Sequence, residues 1–172
     1  MDAEEIKAFF FEAMRAGWAT SAQKQPILGL TGSKSISFKK HGLILVDYYF
    51  VNPGSSHSYG TTLILAMEDM PRFGFVERPV WVMHYGGWYD KRVIPFLKRT
   101  LMHNYNEGVF MGGRGQERLE GEDHTLQYVN KVEQNDFSNF RGDEQIITTS
   151  EQWKVPVGQK MGEHHYFGGL LF

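Results

Sequence analysis

The chain has 172 residues, of which 41% are apolar and 22% charged, with a net charge of −2 and no cysteine. That length describes one ordinary domain, able to bury roughly 70% of its unfolded surface without a staple. The missing cysteines exclude disulfides, thiolate catalysis and Cys-ligated metal centres, and the near-neutral charge argues against a global attraction to nucleic acid.

Residues 2–16 are predicted as an amphipathic helix, because Ile6, Phe9, Phe10, Ala13 and Met14 recur at i, i+3, i+4 spacing. Asp2 and Glu5 make a capping-box pattern at its start; Gly17 is a natural stop, with Trp18 placed to pack back on the helix. Residues 19–34 are polar and turn-rich, a connecting loop. Residues 35–38 and 43–51 read as strands joined by a hairpin through Lys39-Lys40-His41-Gly42. Leu43-Ile44-Leu45-Val46 is apolar on both alternating faces, which predicts a central strand covered on both sides. Asn52-Pro53-Gly54-Ser55-Ser56 has turn chemistry, residues 61–67 form a third strand, and residues 70–77 a loop carrying Pro71 and Gly74. Pro79 opens the fourth strand, which runs through Tyr85.

A second helix is predicted over residues 93–105, with Ile94, Leu97, Leu101 and Tyr105 on one face and Pro95 in the first turn. From Gly108 the chain is glycine-rich and irregular, and residues 117–123 read as a solvated acidic loop. The last third is a meander of strands over 125–133, 137–140, 144–149 and 163–172. Gln134-Asn135-Asp136 and Arg141-Gly142-Asp143 supply turns, and such short connections imply antiparallel pairing. The predicted class is α+β. A single domain, residues 1–172, places an N-terminal helix and one central helix on a curved, mostly antiparallel sheet.

Aromatic residues make up 15% of the chain and there are 19 glycines, which fits either a β-rich aromatic core with glycine turns or an aromatic-lined pocket. No apolar run approaches the ~20 residues of a membrane span. The N-terminal Met1-Asp2-Ala3-Glu4-Glu5 is acidic, the opposite of a secretory leader, so a cytoplasmic location is expected.

One phrase occurs twice. Trp81-Val82-Met83-His84-Tyr85-Gly86-Gly87 is echoed by His164-His165-Tyr166-Phe167-Gly168-Gly169-Leu170, each a strand-like run with a His-Tyr pair and a double glycine. Glycine pairs in strands mark bulges or the close approach of another group. His57, His84 and His165 each lie near a Tyr and a Gly, and with Glu163 or Asp136 they would offer metal ligands; none has diagnostic spacing. His84 and Tyr85 fall on opposite strand faces, and so do the adjacent His164 and His165. Asp136 and Glu144 are either paired carboxylates on a hairpin or ordinary turn and core residues. Gly112-Gly113-Arg114-Gly115 lacks a phosphate-loop signature, but is able to form a small anion nest with Arg114. No pattern assigns a catalytic residue, a metal or a cofactor.

Several segments together resemble an uncharacterised family of small bacterial proteins, a domain of unknown function that in some members follows an XRE-type helix-turn-helix. The matching pieces are the first helix, Asp47-Tyr48-Tyr49-Phe50, Val80 to Gly87, and Phe96 to Leu101. Asn135-Asp136-Phe137 with Phe140, Gly142 and Glu144, and the closing His165 to Leu170, complete the set. The resemblance implies one domain and no reaction. The first helix begins near residue 2 with no helix-turn-helix ahead of it, so direct nucleic-acid binding is not carried over.

The expectation from sequence is therefore a non-enzymatic module that binds a small ligand or a protein partner. Trp81, Tyr85, Tyr128 and Tyr166 are the candidate contacts, with Arg114 and Glu144 as polar anchors. Trp81 and Tyr166 are expected to surround a shared hollow. The alternatives are a hydrolase or isomerase using His84 or His165 with Asp136 or Glu144, and a homodimer joined through its aromatic face.

Overall fold

Helix α1 (Ala3–Ala16) starts as its capping box dictates. The Asp2 carboxylate accepts the Glu5 N–H at 3.0 Å, and the Glu5 carboxylate accepts the Asp2 N–H at 2.9 Å. Its buried face carries Ile6, Phe9, Phe10, Ala13 and Met14. The computed structural model describes all residues except Met1, Trp18, Ser21 and Phe73, so the expected packing of Trp18 lies outside the described residues. Helix α2 (Ile94–Glu107) follows a short 3₁₀ turn, Lys91–Val93, holds Pro95 in its first turn, and ends at Gly108 in the left-handed region, φ 67°.

The strands are β1 (Ser33–Lys40), β2 (Leu43–Phe50), β3 (His57–Met70), β4 (Gly74–Tyr89), β5 (Arg118–Glu120), β6 (Leu126–Asp136), β7 (Asn139–Thr148) and β8 (Lys160–Leu170). They form one open antiparallel sheet in the order β1-β2-β3-β4-β8-β7-β6-β5. The class is α+β, as predicted. Both helices lie over one face of the sheet, and Ile6, Phe10, Ile64, Trp81, Leu97 and Phe140 belong to the core between them.

This order is a palindrome. A helix and four strands are followed by a helix and four strands, and the two halves meet where β4 pairs with β8. Tyr85 of the first phrase stands opposite Tyr166 of the second. The echoed phrases thus occupy matching places in two halves of like topology. The detail repeats too. Tyr85 lies across β3 at Gly60, where a Cβ would meet its Oη at 2.5 Å; Tyr166 lies across β7 at Gly142, where a Cβ would meet its Oη at 2.4 Å. Much of the glycine and aromatic excess is therefore one device, rings lying flat over bare backbone.

Several sequence expectations are corrected. Residues 70–77 are not a loop, because β3 and β4 stay paired out to Met70 and Gly74 as an exposed ribbon braced by Arg78 and Glu68. Pro79 lies inside β4 at a bulge, a place where its missing N–H is tolerated, and the extra residue Val80 turns into the core. Arg141-Gly142-Asp143 is mid-strand in β7, since Gly142 serves Tyr166 and not a turn. The chain reverses instead at Phe137-Ser138, where the Asp136 carboxylate accepts the Ser138 N–H at 2.8 Å. Within 117–123 the chain adds the short edge strand β5. Strand β2 is second from the edge and its Ile44, Val46 and Tyr48 are only half-buried; Ile44 and Val46 stand opposite Leu65 and Leu63.

Candidate functional site

Alternation along the strands sends Asp47, Thr62, Tyr85 and Tyr89 to the helix-covered face, with Glu144 and His164 from the second half. Asp47 Oδ1 accepts from Thr62 Oγ1 at 2.8 Å and from Tyr85 Oη at 2.8 Å. The second half repeats the placement with two changes of residue, Asn130 for Asp47 and Glu144 for Thr62: Tyr166 Oη donates to Asn130 Oδ1 at 2.6 Å, and Asn130 pairs in register with Glu144 as Asp47 does with Thr62.

What covers these two clusters differs. In the second half the glycine-rich segment after α2 folds down onto the sheet. Asn130 Nδ2 donates to the carbonyls of Met111 at 3.1 Å and Gly115 at 2.7 Å. Asn104 Nδ2 donates to the Arg114 carbonyl at 2.6 Å and Tyr105 Oη to that of Gly113 at 3.2 Å, so α2 holds the segment from above. In the first half, among the described residues, no backbone segment is hydrogen-bonded down onto Asp47 in this way, and a cavity of about 230 Å³ lies between the helices and the sheet. Met14, Met83, Ile94, Leu97 and Leu101 make its apolar walls, and exposed Lys34, Ser56 and Lys91 stand at its mouth. Its polar end holds Asp47, Tyr85, Tyr89, Arg114 and His164.

Arg114 links the halves. Its Nε donates to Glu144 Oε1 at 3.0 Å, its Nη2 donates to the same oxygen, and Tyr128 Oη donates to Glu144 Oε2 at 2.5 Å. The guanidinium carbon lies 5.6 Å from the centroid of the Tyr85 ring. Burial alone would raise the Glu144 carboxyl, and the Arg114 charge, the hydrogen bonds from Arg114 and Tyr128 and the nearby His164 together outweigh it, holding it below the usual range. Asp47 moves the other way, pushed up by burial and held back by the hydrogen bonds from Thr62 and Tyr85.

His164 is sandwiched between Tyr85, 5.9 Å between centroids, and Tyr89, 4.7 Å. Its Nε2 lies 3.4 Å from Ser58 Oγ. Its Nδ1 and the Tyr89 Oη are buried and, among the described residues, have no hydrogen-bond partner. Both atoms are sealed from water behind the cavity wall, where Arg114 and Glu144 act on them, and His164 Nδ1 lies 4.0 Å from Glu144 Oε1.

Burial and then the Arg114 charge bring His164 from 6.5 down to about 4. The unfolded chain therefore takes up this proton at higher pH than the folded chain. Stability present above about pH 6.5 is expected to fall as pH drops toward 4, by at most about 1.4 kcal/mol per unit. Asp47, raised in the fold, contributes with the opposite sign, and Glu144, lowered, with the same sign below its ordinary value of 4.5. Urea unfolding at about pH 7, 5.5 and 4.5 measures the slope, and His164→Gln should flatten it. An unchanged slope in the variant would contradict the burial of His164.

Of the six residues singled out from sequence, Tyr85 and Arg114 line the cavity, and Tyr128 and Glu144 lie beneath Arg114. Trp81 and Tyr166 do not reach it, which corrects the expectation of a shared hollow around them. Trp81 is 0% exposed, covered by α1 and stacked on Phe137 and Phe140; Tyr166 is spent on Gly142 and Asn130. His57, His84 and His165 do not converge. His84 lies on the outer face against Thr61 and Phe167, His165 contacts Asp143 on that face, and His57 is exposed at the start of β3. Asp136 caps an exposed hairpin while Glu144 is fully buried, so they form no pair. The sequence reading missed Asp47, Tyr89 and His164. Asp47 had a visible signal, a carboxylate among inward-facing Leu43, Leu45 and Tyr49.

Among the described residues no group of three or more His, Asp or Glu side chains is placed to hold a metal, and no helix is long and apolar enough to cross a membrane. Comparison with protein-family models, with curated proteins and with solved structures finds no match.

Proposed function

We propose that this protein is a non-enzymatic, cytoplasmic binding module whose first-half cavity takes a metabolite-sized, amphipathic molecule. The apolar part of that molecule lies against Met14, Met83, Leu97 and Leu101, and its polar head meets the Asp47, Arg114 and His164 end. The observation that carries this reading is a mostly apolar cavity with Asp47, Tyr85 and Arg114 at one end, whose counterpart in the other half is filled by the chain's own backbone. Small-molecule sites are concave, mostly apolar and furnished with a few convergent polar groups. The resemblance to the uncharacterised bacterial family is compatible with this reading and adds no reaction to it.

A dye-monitored melting screen against metabolites tests it. A true ligand at a hundredfold excess over its Kd stabilises by ~2.7 kcal/mol, a shift of several degrees. Ile94→Trp, which places a ring in the cavity from its half-buried wall, should abolish that shift. No stabilised melt across a broad library, or a shift that survives Ile94→Trp, would sink the proposal. A second reading, a small enzyme, is favoured by the convergence of Asp47, Tyr89 and His164, groups able to pass a proton. Its sign would be a product, seen by mass spectrometry after incubating a stabilising compound with the protein, that His164→Gln fails to form.

A further inference from the structure

We infer that the ligand presents a protonated amine to Asp47, with an apolar ring or short chain behind it and an acidic group at the lysine-lined mouth. This rests on the cavity being a ligand site.

The two halves supply the first argument, because each shows what the other lacks. Asn130 and Asp47 occupy matching places, each accepting a tyrosine hydroxyl through Oδ1. Asn130 uses its remaining atom, the donor Nδ2, on the carbonyls of the plugging segment. At Asp47 that remaining atom is Oδ2, an acceptor, and among the described residues it makes no hydrogen bond. Where the chain meets Asn130 with carbonyl acceptors, the occupant of the cavity must meet Asp47 with a donor.

Charge supplies the second. The Arg114 guanidinium is paired with Glu144, and among the described residues Asp47 has no cation within ion-pair distance, although it is only 8% exposed. An acid delivered to this end would sit beside an existing carboxylate in a poorly solvated place, whereas an ammonium group gains a charge-assisted hydrogen bond. Tyr49, Tyr85, Tyr89 and Tyr105 line the same cavity, and tyrosine faces attract cations. Lys34 and Lys91 at the mouth oppose a purely cationic ligand and suit an anionic far end. The chemical class is thus an amino acid whose amine and acid are held apart by an apolar spacer.

Three benzene derivatives separate these features: 4-(aminomethyl)benzoate, benzylamine and 4-methylbenzoate. Titration calorimetry on the full chain should show 4-(aminomethyl)benzoate binding tightest and benzylamine more weakly. The amine-free 4-methylbenzoate should be weaker than 4-(aminomethyl)benzoate by roughly 30-fold or more. Asp47→Asn reproduces the chemistry of Asn130, so the fold tolerates it, as an unchanged or raised melting temperature checks. This variant should lose affinity for both amines by a similar factor and leave 4-methylbenzoate unaffected. Equal or tighter binding of 4-methylbenzoate, full retention of amine binding in Asp47→Asn, or no amine binding at millimolar concentration overturns the inference. In each case a library compound displaced by Ile94→Trp would still uphold the cavity as a ligand site.

Discussion

Glu144→Ala is expected to cost about 3–5 kcal/mol of stability, seen as a lowered midpoint in urea with an unchanged slope. Glu144 is 0% exposed and Arg114 6%. Removing the carboxylate leaves a guanidinium in the interior with no counter-charge, and strands the Tyr128 hydroxyl that donated to it. The loss comes chiefly from the uncompensated cation, because the attraction within a buried pair only roughly offsets the desolvation of its members. The double replacement Arg114→Met with Glu144→Leu should therefore recover much of the loss, although each single change is severe. The cavity bears on the magnitude. Arg114 lines it, so water entering from the mouth moderates the penalty and favours the lower end of the range. A cost under about 1 kcal/mol would mean that the pair is solvated like a surface ion pair.

Trp81→Ala is expected to cost a further about 3–5 kcal/mol, through lost apolar transfer and the cavity left behind. The indole is stacked against Phe137 at 5.3 Å and 14° and against Phe140 at 5.4 Å and 19°. Phe10 of α1 lies across it at 5.0 Å. Its Nε1 donates to the Phe137 carbonyl at 3.1 Å, so Trp81→Phe gives up one hydrogen bond and some volume and should cost less. Ligand binding distinguishes this placement from the one expected from sequence. With Trp81 in the core and outside the cavity lining, Trp81→Phe should leave a ligand-induced melting shift intact. Its loss would return Trp81 to the site.

The local elements were legible because their signals are local. The α1 capping box, the Pro95 start of α2, and the His41-Gly42 hairpin each rest on residues a few positions apart. Glycine misleads where it serves a distant partner: Gly142 has the local chemistry of a turn residue, yet it is bare so that Tyr166 can lie over it. The run from Met70 to Glu77 was read as a loop because Pro and Gly punctuate it, while the pairing that extends it comes from the opposite strand.

The candidate site shows the same division. Alternation predicts that His84 and Tyr85 take opposite faces and that His164 and His165 part company, and both hold. Which inward groups meet the cavity was not a matter of alternation. It depends on the segment after α2 plugging one half and not the other, and on helices that cover Trp81 while leaving Asp47, Tyr85 and His164 beside open space.

By itself, then, the amino-acid sequence determined the class, the two helices, the antiparallel habit and the presence of a phrase used twice. Those features follow from hydrophobic period and turn chemistry, which act between neighbours. Only the tertiary structure decided that the two phrases pair with one another, that Asp47 and Asn130 occupy matching places, and that Asp47 is the one lining the large cavity. The reason is that burial and hydrogen-bond satisfaction are set by groups brought together from far along the chain.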